Sequence, residues 1–211
     1  MDGAASAGKL EAVRALIAYG ANPNVDYSKL WSTGSGLFSA NVPMGGEGGG
    51  SVLISAARSG NPEVVKEILR YAPKLEAREQ NGRTALFVAG ESTRSDEDEQ
   101  RVECVRVLAK AGAKVDTRDK YGTTLLHITY LLDVQEELLR LGADVNARNL
   151  NGETPIFTTM NIKSIPLFLQ HGADLTIRNN QGETVMEART GRETGWDEAL
   201  RKATAETEHP Q

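Results

Sequence analysis

Asn81-Gly82-Arg83-Thr84, Tyr121-Gly122-Thr123-Thr124, Asn151-Gly152-Glu153-Thr154 and Gln181-Gly182-Glu183-Thr184 are four versions of one phrase. A second phrase runs between them, as Gly20-Ala21-Asn22, Gly112-Ala113-Lys114, Gly142-Ala143-Asp144 and Gly172-Ala173-Asp174. The later copies of both recur every thirty residues, at Gly122, Gly152 and Gly182 and at Gly112, Gly142 and Gly172. A fixed period of this length marks a stacked repeat array, in which each unit covers the apolar face of its neighbour. The phrases carry no reactive group, so they specify architecture rather than chemistry.

Working outward from the phrases, residues 61–69 read Asn-Pro-Glu-Val-Val-Lys-Glu-Ile-Leu, with Val64, Val65, Ile68 and Leu69 at helical spacing. Pro62 suits a first helical turn, where its missing N–H has no partner to lose. Before it, Ser51-Val52-Leu53-Ile54-Ser55-Ala56-Ala57 predicts a short helix whose small side chains allow close packing. Arg58-Ser59-Gly60 is the turn between the two. Each unit is therefore two short antiparallel helices followed by an extended, hairpin-like loop.

These residues resemble ankyrin repeats. The Thr-Pro-Leu-His-x-Ala opening of that family stands here as Thr124-Leu125-Leu126-His127-Ile128-Thr129 and Thr154-Pro155-Ile156-Phe157-Thr158-Thr159. Weaker copies open at Thr84 and Ser51, and the family's second-helix ending is similar to Leu138-Leu139-Arg140-Leu141-Gly142-Ala143-Asp144-Val145-Asn146-Ala147. The resemblance implies an all-α helical-repeat solenoid of about six units, at 2–26, 47–77, 78–117, 118–147, 148–177 and 178–203. A long insertion, 27–46, follows the first unit, a shorter one, 91–101, lies inside the third, and residues 204–211 read as a disordered tail.

Composition narrows the function classes. The chain has 211 residues, 39% hydrophobic and 25% charged, with a net charge of −5. Mild acidity gives no whole-chain case for nucleic acid. The single cysteine, Cys104, allows no intramolecular disulfide and fits a reducing compartment. No apolar run approaches the ~18 residues of a membrane span, and Met1-Asp2-Gly3 opens no signal peptide. The expectation is a soluble, intracellular monomer, cytoplasmic or nuclear, with no membrane partner.

Departures from a repeat carry its specificity. The long insertion holds Trp31 and Phe38, aromatics in a chain with only 5% of them. They read either as a satellite core over the first units or as a partner contact. The whole break from Asp26 to Gly50 ends in the run Gly45-Gly46-Glu47-Gly48-Gly49-Gly50, which lacks the Lys-Ser/Thr of a phosphate loop. Ser95-Asp96-Glu97-Asp98-Glu99 in the second insertion reads as a solvated acidic loop. Thr124 to Gly142 spans 19 positions against 22 from Ser51 to Ala72, which predicts tight connections at Leu132-Asp133-Val134 and Asn161-Ile162-Lys163.

Arg78, Arg118, Arg148 and Arg178 each precede a repeat glycine by four residues. They form either a basic stripe for a carboxylate-rich or phosphorylated partner, or a set of bonds to neighbouring loop carbonyls. His127 sits where the resemblance implies a hydrogen-bonded link between adjacent loops. It has no companion for a metal or a catalytic base, and Cys104 falls on a buried helix face. Asp133, Glu136 and Glu137 read as the polar face of a helix. The resemblance also implies that Ser55, Val88, Ile128 and Thr158 line a concave face, with Val88 and Ile128 as exposed apolar groups beside Tyr121. The reading is a non-catalytic module, without cofactor or metal, that binds a protein or peptide there. The alternative is a reader of a modified or cationic peptide through the aromatics of the long insertion and loop tips.

Overall fold

The computed structural model describes residues 1–25, 50–91, 98–189 and 195–208. Among these, twelve helices fall into six consecutive pairs. They are α1 (Asp2–Ser6) with α2 (Leu10–Ala18), α3 (Val52–Arg58) with α4 (Pro62–Leu69), and α5 (Ala85–Gly90) with α6 (Asp98–Lys110). There follow α7 (Leu125–Ile128) with α8 (Leu132–Arg140), α9 (Pro155–Thr158) with α10 (Ser164–Gln170), and α11 (Val185–Arg189) with α12 (Trp196–Glu208). Capping fixes the starts. The Ser51, Asn61 and Thr84 side chains accept the amides of Ile54, Glu63 and Phe87, and Pro62 and Pro155 occupy first-turn positions.

The pairs stack in two layers. Among the first helices α1 packs on α3, α3 on α5, α7 on α9 and α9 on α11, while the second helices stack in unbroken order from α2 to α12. One continuous core results, from Ala5 and Val13 through Leu86, Leu126 and Ile156 to Trp196 and Leu200. Each fully buried Leu, Ile or Phe contributes about 1.5–3 kcal/mol of transfer free energy. The close approach of α5 to the next unit requires Gly90, where a Cβ would lie 2.5 Å from Leu125 Cδ2 and 3.0 Å from Val134 Cγ1.

Four local expectations are corrected. The tight connection of the fourth unit is Thr129-Tyr130-Leu131, and Leu132-Asp133-Val134 already belongs to α8. Shortening is achieved by cutting α7 and α9 to one turn each, which strands carbonyls that side chains then satisfy. Gln135 Nε2 donates to the Thr129 carbonyl at 2.6 Å and Arg189 to those of Phe157 and Thr159, while Thr129 Oγ1 caps the Gly90 carbonyl at the end of α5 at 3.1 Å. Second, α6 begins at Asp98, so residues 98–101 are helical rather than inserted. Acidic Glu99 suits a helix N-terminus, and Arg101 is buried, donating to the Ala89 and Arg58 carbonyls. Third, α12 runs to Glu208, into the segment read as a disordered tail. Fourth, Glu137 is buried, not on a solvated face. It pairs with Arg106 of α6 at 3.1 Å and with Arg140, as Glu67 does with Arg14 of α2 and Arg70. The long insertion and residues 92–97 lie outside the described residues.

Candidate functional site

The loops that carry the repeated phrase form one edge of the stack. In each, a polar side chain organises the turn. The Glu79 carboxylate accepts the Asn81 amide, and Asp119 Oδ1 accepts those of Tyr121 and Thr123 at 2.8 and 2.9 Å. Asn149 and Asn179 do the same in the next two loops. The loops then pair along the array. Lys120 N–H donates to the Asn81 carbonyl, Leu150 N–H to that of Tyr121 and Asn180 N–H to that of Asn151, at 2.8, 3.1 and 2.9 Å. This ladder explains the repeated glycine twice over. Gly122 and Gly152 have φ of 71° and 75°, and a Cβ on either would lie 3.0 Å from the next loop's backbone nitrogen.

The arginines brace the same edge. Arg78 Nη1 donates to the Gly82 and Arg118 carbonyls, and Arg118 Nη1 to the Gly122 carbonyl at 2.8 Å and to that of Arg148. Arg148 donates to the Gly152 carbonyl at 3.2 Å and the Arg178 carbonyl at 2.8 Å. Arg178 reaches the Gly182 carbonyl and pairs with Glu187 at 2.8 Å. A parallel row runs along the segments that follow the second helices, where Glu76, Asp116 and Asn146 accept the amides of Lys114, Asp144 and Asp174. Burial, with Asp144 alongside, raises the Asp116 carboxyl above its ordinary value.

The structure separates the apolar candidates. Val88 is 2% exposed, and the reading of it as an open binding residue is corrected. Every residue of α5 is buried, as expected for a helix that is apolar all round. Ile128 is half-buried against the core, and Ser55 and Thr158 are likewise half-buried. Tyr121 is 58% exposed at a loop tip. Beside it, joined through the backbone bond between the loops, Leu150 is 68% exposed. The sequence reading missed Leu150; its signal is an apolar residue at a tip where the other loops carry Gln80, Lys120 and Asn180. A separate exposed group, Tyr130, Met160 and Ile162, lies on the connections between paired helices. Trp31 and Phe38 lie outside the described residues.

His127 and Cys104 are held in structural roles. The Thr124 amide can only donate, so at 3.2 Å it makes His127 Nδ1 an acceptor, and the Thr124 hydroxyl lies 2.8 Å from the same atom. Nε2 then carries the hydrogen and donates to the Glu153 carbonyl of the next loop at 3.1 Å. Burial lowers the histidine below its ordinary value. Cys104 is buried in α6, which pushes its thiol up to about 12, far from the thiolate that reaction or ligation needs. Among the described residues no cluster of His, Cys, Asp or Glu could hold a metal, and no helix is long and apolar enough to cross a membrane.

A search of curated proteins finds no match to this chain. A profile of ankyrin repeats, three copies long, matches residues 3–119 and, in an overlapping placement, residues 53–149. Ankyrin repeats are protein–protein interaction modules. With the profile covering well over half the sequence and the paired helices stacked as described, the chain belongs to the ankyrin repeat family.

Proposed function

We propose that this chain is a non-catalytic recognition module that takes a partner protein or peptide on the loop edge of its third to fifth units. Tyr121 and Leu150 form the centre of the site, and Arg78, Arg118 and Arg148 flank it. The observation that carries the reading is the adjacency of two large apolar side chains in the open, on backbone locked to the loops on either side. Solvent-exposed apolar pairs on rigid backbone suit a protein contact, because burial gains their transfer energy at little ordering cost. Ile128 of α7 adds half-exposed apolar surface. The partner meets a preformed surface and moves it little.

The test compares capture of binding proteins by the wild type and by a Tyr121→Ser/Leu150→Ser double variant. A Tyr130→Ser/Met160→Ser variant serves as the control for the other exposed group. Loss confined to the loop variant, with its thermal midpoint unchanged, supports the site. Loss confined to the control moves recognition to the helix connections.

The cationic-peptide reading is weaker at the loop tips. The Lys120 ammonium already lies 5.0 Å from the centre of the Tyr121 ring, and the equivalent tips carry Asn81, Asn151 and Gln181. A cation held there would have to displace an internal one. Titration with a trimethyl-lysine peptide is expected to leave tryptophan fluorescence unchanged; a saturable change would restore that reading through Trp31.

A further inference from the structure

We propose that the partner presents an acidic segment in polyproline II conformation, with a carboxylate at every third residue, laid along Arg78, Arg118 and Arg148. The inference rests on the loop edge being the recognition surface and names the chemistry that surface takes.

Charge is the first argument. Arg14, Arg70, Arg83, Arg106, Arg140 and Arg178 all pair with carboxylates, in keeping with an acidic chain. Among the described residues no ion pair includes Arg78, Arg118 or Arg148, whose partners are carbonyls. The neighbouring carboxylates are directed elsewhere. Glu79 and Asp119 are buried and bond the amides of their own turns, and Asp116 bonds the Asp144 amide. Lys120 also bonds a neutral group, the Asn81 side-chain oxygen, at 2.7 Å. The result is a row of exposed cations, fixed in place and not neutralised by an ion pair. In Arg78 and Arg118 these bonds use Nη1 alone, which leaves the Nε–Nη2 edge for a carboxylate to engage with two hydrogen bonds.

Spacing is the second. The arginines repeat once per stacked unit, and packed helices lie about 8–10 Å apart. A polyproline II helix has three residues per turn at about 3.1 Å each, so every third side chain returns to one face about 9.3 Å on. A β-strand returns to one face every second residue, at about 6.6 Å, and misses the register. The residues between the carboxylates, prolines in the ideal case, would rest on Tyr121 and Leu150, much as proline-rich segments use aromatic-lined grooves.

The probe is a fluorescein-labelled peptide of four Glu-Pro-Pro repeats, followed by anisotropy. Controls are four Gln-Pro-Pro repeats and a peptide of the same composition with all glutamates in one block. We expect saturable binding of the periodic acidic peptide, tenfold or more weaker binding of both controls, and loss on raising salt from about 0.05 to 0.5 M. Arg118→Gln, checked for an unchanged helical spectrum, should weaken binding by about tenfold, and Arg118→Lys should restore only part. No binding, equal binding of the block peptide, or indifference to Arg118 overturns the proposal. If partners captured from cells depend on Tyr121 and Leu150 but not on Arg118, the recognition surface stands and the acidic segment falls. If they depend on none of these residues, both fall.

Discussion

Thr124 and Thr154 hold the same place in consecutive units, yet only one hydroxyl finds a partner. Thr124 Oγ1 lies 2.8 Å from His127, whereas the fifth unit has Phe157 there and leaves Thr154 Oγ1 buried without a hydrogen bond. Thr124→Val should therefore cost about 1 kcal/mol, and Thr154→Val should fall within about 0.5 kcal/mol of neutral, by urea denaturation. Equal costs would show that the hydroxyl at this place is not what matters. His127 gives a pH signature. Its folded value is lowered from 6.5 by burial, so below pH 6.5 the unfolded chain takes the proton first. Stability from this group is complete above 6.5, declines as pH falls, and levels off below the folded value. His127→Phe should abolish that part of the decline between pH 7.5 and 5.5; an unchanged slope would refute the assignment. The single TLLH copy made His127's role legible from sequence, but the orphaned Thr154 hydroxyl depends on a neighbour that only packing identifies.

Among the elements, α5 shows where sequence reading fell short. Its position in the repeat pointed Val88 outward, but Ala-Leu-Phe-Val-Ala-Gly offers no polar face, and the helix is buried on all sides. Gly90→Ala decides between two effects. Replacing glycine in a helix usually stabilises by about 0.5–1 kcal/mol, but here the methyl meets Leu125 and Val134 in a packed core. Overpacking of about 1–3 kcal/mol should win, giving net destabilisation in thermal unfolding. A more stable variant would mean that α5 and α7 are not in contact. Helix existence was legible because apolar spacing and caps are local. The burial of Arg101, Glu137 and Arg189 was not, because each answers a carbonyl or guanidinium supplied by another unit, and the start of α8 was not, because Gln135 bonds the Thr129 carbonyl left by a shortened α7.

Across the whole molecule, the buried core and the proposed recognition surface are made of different residues. Leu139 of α8 belongs to the core, and Leu139→Ala should cost roughly 2–5 kcal/mol. Arg118 is exposed and bonded only to loop carbonyls, so Arg118→Ala should cost under about 1 kcal/mol while weakening partner binding. Comparable losses from both would collapse the division between core and loop edge. The period alone announced the stack, since thirty-residue recurrence survives substitution at any one place. The proposed recognition surface was half legible: Tyr121 and the arginine row stand out by position, but Leu150 becomes visible only when the loops are laid side by side. The most direct test of the recognition surface is a hydrogen-exchange footprint of the chain with a captured partner bound. The account predicts new protection at residues 78–83, 118–123 and 148–153; protection confined to 129–131 and 159–163 would contradict it.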